Sequence, residues 1–141
     1  MSEFVNFMRK NKIEKEHVFF ALKRSFPQDA DGSWPTLELR SLTSGELQKL
    51  RKAHMRQIPT RKGAYRTTVD DGFIDALICA CVVSPDLDDA ALQDDYGVMG
   101  AEELLTAIVD NVGDYNELVE TVTQLCGITD SLDDEVETAK N

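Results

Sequence analysis

The stretch from Pro85 to Leu105, PDLDDAALQDDYGVMGAEELL, decides how the rest of the chain is read. It holds two short helical segments joined by an elbow, Tyr96-Gly97-Val98-Met99-Gly100. The first segment runs from about Asp88 to Tyr96 and stops at Gly97, since glycine takes the left-handed conformation that closes a helix without a Cβ clash. The second runs from about Ala101 to Asp110, with Leu104, Leu105, Ile108 and Val109 inward at helical spacing. Acids crowd the first segment at Asp86, Asp88, Asp89, Asp94 and Asp95. Glu102 and Glu103 open the second, where carboxylates favour the helix dipole.

Toward the C-terminus, Asp114 is expected to cap a third helix with Tyr115, Leu118, Val119, Val122 and Leu125 in one stripe, ended by Gly127. The remaining TDSLDDEVETAKN has five acids and few apolar residues, so it is expected to be mobile or to order only on a partner. Toward the N-terminus, Phe73 to Val83 is apolar nearly all round apart from Asp75, the mark of a central core helix. Ser84-Pro85 ends it, because proline drives the preceding residue out of helical geometry. Thr43-Ser44-Gly45-Glu46 is a capping box. The helix it opens is expected to carry Leu47, Leu50, His54 and Ile58 on one stripe until Pro59, with residues 59–67 as a basic loop.

Further upstream, Val18, Phe20, Leu22 and Phe26 fall on one side of a period-two pattern, and Leu37 and Leu39 alternate with Glu38 and Arg40. The turn residues of PQDADGS between them predict a β-hairpin, with Trp34 anchoring it to the helices. Ser2 is placed to cap a short first helix with Phe4, Phe7 and Met8 on one face. The sum is a mainly α fold: a small helical domain of five to six helices with one N-terminal β-hairpin packed on it. A single domain is expected over 1–127, with the hairpin at about 18–42 and the helical core at about 43–127. Residues 128–141 form an acidic tail.

At 141 residues and 42% hydrophobic content, the chain is long and apolar enough for one core. No apolar run approaches the roughly 18 residues of a membrane span, and MSEFVNFMRKNK has no signal-like apolar region, so a soluble, unexported protein is expected. Three cysteines with no framework spacing read as reduced, buried thiols. Charge is divided along the chain. Residues 1–66 carry +7, residues 67–85 carry −3 and residues 86–141 carry −15. An acidic C-terminal half repels nucleic acid and anionic membrane and favours basic protein surfaces, including residues 49–66 of another copy.

The motifs that would carry chemistry fail on inspection. Counted from Asp86, the sixth and twelfth positions of a calcium loop would be Ala91 and Gly97, not the glycine and glutamate that such a loop needs. Cys79 and Cys81 lie about 200° apart around a helix and cannot share a metal. His17 and His54, the two histidines, have no serine, cysteine and acid pattern beside them, and there is no glycine-rich phosphate loop. No cofactor, metal or enzymatic activity is expected. The basic run Lys49, Arg51, Lys52, Arg56, Arg61, Lys62 and Arg66 contains only Tyr65 for base stacking, so a solvated face meeting an acidic protein is the better reading than nucleic acid.

The order and spacing of five blocks resemble those of the phage tail assembly chaperones, the XkdN-like family of tailed phages and prophages. The blocks are ALKRSFPQDADGSWPTLELRSLT, the T-x-x-E-L-x-x-L-R-K helix at Thr43 to Lys52, the core helix, PDLDDAALQDDYGVMGAEELL, and the GDY-x-x-L segment at Gly113 to Leu118. The likeness covers about residues 1–127, and the tail after Gly127 is where departure from relatives is expected. The resemblance implies a non-enzymatic chaperone in the host cytoplasm, absent from the mature virion. Such proteins bind the long, helical tape measure protein while tube subunits polymerise around it. A structural tail or head-completion component retained in the virion is the alternative, since oppositely charged halves suit head-to-tail stacking. For helix-in-groove binding, the candidate partner-binding residues are Leu92, Tyr96, Val98 and Met99 around the elbow, because Met and Tyr suit adaptable or amphipathic contacts. The same four side chains equally suit the seam between two helices.

Overall fold

The computed structural model describes residues 3–128. Two 3₁₀ turns, Glu3–Phe7 and Arg9–Asn11, lead into strands β1 (Val18–Ala21) and β2 (Thr36–Leu39) and helix α1 (Ser44–Ala53). Strands β3 (Met55–Pro59) and β4 (Tyr65–Val69) follow, then helix α2 (Phe73–Cys81) and strand β5 (Val82–Ser84). Helices α3 (Ala90–Tyr96), α4 (Ala101–Ile108) and α5 (Val112–Leu125) complete the chain. The strands form an antiparallel sheet of order β1-β2-β5 and a separate antiparallel ribbon β3-β4. The expected mainly α fold with one hairpin is therefore corrected to a mixed α/β fold with five helices and five strands among the described residues.

The expected hairpin forms with Val18 opposite Leu39 and Ala21 opposite Thr36. Leu37 and Leu39 are buried, while Glu38 points the other way and takes the His17 ring at 2.6 Å, as period-two geometry requires. The anchor is different from the one expected. Trp34 lies half-buried outside the core with Lys23 Nζ 5.5 Å from its ring centroid, and Leu22, Leu37 and Leu39 fill the inner face instead.

Three strands escaped the sequence reading. Helix α2 stops at Cys81, two residues before the expected end, because the chain leaves it at Val82, and Val82 and Ser84 pair with Leu39 and Glu38 of β2. The Arg40 amide donates to the Cys81 carbonyl at 2.8 Å, extending that pairing. The second surprise is β3-β4, in registers from Met55–Val69 to Pro59–Tyr65, where a helix end and a basic loop were expected. Helix α1 halts because Asp70 claims its end: the Asp70 amide donates to the His54 carbonyl at 2.7 Å, and the Asp70 carboxylate meets His54 Nδ1 at 2.9 Å. Pro59 terminates a strand rather than a helix, and Gly63 supplies the left-handed turn residue at φ 79°.

The core is built around α2, whose Phe73, Leu77, Ile78 and Cys81 are fully buried. Leu37 and Leu39 pack there from the sheet, Leu104 and Leu105 from α4, and Leu118 and Val122 from α5. Each such side chain contributes about 1.5–3 kcal/mol by leaving water. The lone acid of α2 is also explained, since the Tyr115 hydroxyl donates to the Asp75 carboxylate. At the start of α5 the cap is Asn111, whose side chain accepts from the Asp114 amide at 3.1 Å. Asp114 has another task, described below.

The N-terminal segment is two 3₁₀ turns rather than one helix with a buried face, and none of its residues is buried. Its expected cap, Ser2, lies outside the described residues. Of the expected tail, Ile128 is buried in the core, and residues 129–141 lie outside the described residues.

Candidate partner-binding site

The elbow is held from both sides. The Asp89 side chain accepts from the Leu92 amide at 2.9 Å and starts α3, and Gly97 ends it at φ 67°. A seven-residue helix is too short to persist in water alone. One side chain braces it: Gln93 Nε2 donates to the Leu87 carbonyl at 2.8 Å, and Gln93 Oε1 accepts from the Gly100 amide at 3.2 Å. The Val98 amide donates to the Gln93 carbonyl at 3.0 Å, and the Met99 amide to Glu103 Oε2 at 3.1 Å. The segment before α3, the helix and the elbow are thus joined through Gln93.

The four candidate residues divide. Leu92 and Tyr96, one turn apart, are half-buried and line a groove of 390 Å³ with Leu22, Phe26, Pro35 and Ile108. Val98 is half-buried against the core. Met99 is 85% exposed and belongs to a different cleft of 550 Å³, with Leu50, His54 and Cys79. Gly100, at φ 102°, turns the chain between the two. The groove also depends on residues that the sequence reading did not single out for binding. Phe26 and Pro35 come from the β1–β2 connection, and the period-two placement of Phe26 with Leu22 was the available signal.

The groove is lined by no charged residue, whereas α3 and the residues before it expose Asp86, Asp88, Asp89, Asp94 and Asp95. Asp95 lies three residues from Leu92 on the same helical side, and Asp86 and Asp95 adjoin the lining residues Pro85 and Tyr96. The site is therefore an apolar trough with an acidic rim. The β1–β2 connection that forms one wall is fastened to α5 by Asp114. That carboxylate is 1% exposed and accepts from Ser25 Oγ at 2.8 Å, the Arg24 amide at 2.9 Å and Arg24 Nη1 at 3.2 Å. Burial opposes its ionisation, but those hydrogen bonds outweigh burial and hold the carboxyl below its ordinary value.

The second cleft is lined by Cys79 and His54 among others. Burial pushes the Cys79 thiol up to about 12, with Glu102 and Asp75 adding repulsion, so a thiolate does not form at neutral pH. His54 is occupied by Asp70 and stands edge-on to Phe73, ring centroids 6.3 Å apart. All three cysteines are free thiols, and Cys81 and Cys126 share a hydrogen bond with their sulfurs 3.5 Å apart. Among the described residues no three His, Cys, Asp or Glu side chains gather as a metal site, and no helix is long and apolar enough to cross a membrane. The basic run divides between α1, with exposed Lys49 and Lys52, and the β3-β4 ribbon, with exposed Arg56, Arg61 and Lys62.

Comparison with known proteins follows the same lines. No curated protein matches the chain. The crystal structure of the protein YqbN superposes with a TM-score of 0.69 over 90% of this chain and 98% of that one, at 17% sequence identity. At that identity the likeness is one of fold. The family model described as phage XkdN-like tail assembly chaperone protein (TAC) matches residues 4–140, so the likeness runs past Gly127 and into the acidic tail. Matched over nearly its whole length, the chain belongs to the phage XkdN-like tail assembly chaperone family.

Proposed function

We propose that this chain acts in tail assembly as a non-enzymatic chaperone that binds the tape measure protein and keeps it soluble in the host cytoplasm. One observation carries the reading: the uncharged groove between α3 and the β1–β2 connection, with Leu92 and Tyr96 on its wall. A helix with an apolar stripe fits such a trough through anchors one turn apart. The acidic rim adds repulsion between coated chains, which opposes self-association of a client rich in exposed apolar surface. Leu92 and Tyr96 are the proposed contacts, supported by Val98 behind them, while Met99 faces another cleft and is a second point of contact.

Co-expression with the tape measure protein of the same phage tests this. A soluble complex is expected, lost in Leu92→Lys and retained in Met99→Ala. An insoluble, unbound tape measure protein would sink the reading. The second reading, a structural tail or head-completion component, draws on the charge division, with the basic 49–66 segment of one copy meeting the acidic 86–141 segment of the next. It requires the chain in purified virions, where a chaperone is absent.

A further inference from the structure

Residues 3–16 form an arm that the fold does not explain. It has no buried residue, and Phe4, Phe7 and Ile13 are 67%, 82% and 89% exposed. Its hydrogen bonds are local, as in Asn11 Nδ2 to the Val5 carbonyl at 2.6 Å. Large apolar side chains left together in water mark a contact surface. Arg9, Lys10, Lys12 and Lys15 make the same arm basic, with four cations against Glu3, Glu14 and Glu16. The same chain carries the complementary surface: the uncharged groove at Leu92 and Tyr96, with exposed Asp86 and Asp95 beside its lining residues Pro85 and Tyr96.

We propose that the arm of one copy docks into the groove of a second copy, its phenylalanines on Leu92 and Tyr96 and its cations against Asp86 and Asp95. In a single copy both surfaces face solvent, and docking between copies covers both at once. Each copy then gives one arm and receives one, a head-to-tail contact that closes into rings or continues as chains. The contact pairs opposite charges at the rim of the interface, so it weakens with salt. It uses the groove proposed above for the client but is measured without any client. An arm-defective copy keeps its groove, so client capture by that copy tests the other proposal separately.

The experiment is sedimentation velocity on the full chain across a concentration series into the hundreds of micromolar. Wild type is expected to gain mass with concentration, and to gain less at high salt. Phe4→Ser with Phe7→Ser removes no buried side chain and is expected to weaken association by roughly tenfold or more per phenylalanine. Leu92→Lys blocks the groove. Asp86→Lys with Asp95→Lys changes only exposed residues and serves should the first groove variant misfold. The arm-defective and groove-defective copies are each expected to be monomeric alone and to form a one-to-one heterodimer when mixed, since the pair retains one arm and one groove. A wild type that stays monomeric throughout, an arm variant that associates like wild type, or a mixture that yields no heterodimer would each overturn the proposal.

Discussion

Asp114 shows how one side chain secures a wall of the groove. Removing its carboxylate leaves the Ser25 hydroxyl and the Arg24 amide without their acceptor. Asp114→Ala is expected to destabilise the fold by roughly 1.5–3 kcal/mol, the range for hydrogen bonds to a charged group, read as a lower urea midpoint. Asp114→Asn keeps one acceptor oxygen and is expected to lose less. The pH dependence has a definite sign. The folded carboxyl lies below its ordinary value, so its contribution is complete above the unfolded value of about 3.9 and is lost as pH falls through the lower, folded one. The gap in urea midpoint between wild type and Asp114→Asn is thus expected to be full at pH 7 and to close under strong acid. A gap unchanged by acid would show that the side chain acts through shape rather than charge. Glu46 follows the same sign: Arg40 first, with the Thr43 amide, holds it at about 2.

Local chemistry made some elements legible and pairing at a distance hid others. The Thr43–Glu46 capping box forms as expected, with the Glu46 amide donating to Thr43 Oγ1 at 3.2 Å, and Thr43→Ala is expected to cost about 1 kcal/mol in thermal or urea unfolding. Gly97 and Gly127 end their helices with positive φ, a signal carried by one residue. The β3-β4 ribbon gave no such signal, because Leu47, Leu50, His54 and Ile58 keep helical spacing through the point where the helix stops. The alternation of Tyr65, Thr67 and Val69 was the missed cue. Thr68→Pro removes a donor from the ribbon, where Thr68 faces Arg56, and is expected to raise hydrogen exchange along residues 55–69 while leaving α4 and α5 protected. β5 was hidden inside the apolar run of α2. The site was legible by halves: Leu92 and Tyr96 share a helical face that spacing reveals. Their neighbours Leu22, Phe26 and Ile108 reach the groove only through the tertiary fold.

Across the whole molecule, the separation of charge along the sequence is only partly a separation of surfaces. Arg24 pairs with Asp114 and Glu117 at 3.2 and 3.0 Å, bridging the basic and acidic halves within one copy. Exposed cations remain for partners at Lys49 and Lys52 of α1, at Arg56, Arg61 and Lys62 of the ribbon, and on the arm. The passage from α2 to β5 bears on the molecule in another respect. Cys81 ends the helix and Val82 begins the strand, with no intervening residue. A joint without slack cannot open on one side alone: peeling β5 from β2 pulls on the last turn of the helix that organises the core, and unwinding that turn drags the strand. The sheet and the central helix are therefore expected to exchange their slowest amide protons at one common rate, as a single cooperative unit. The domain then has no partly open form in which its sheet is loose and its helices are firm.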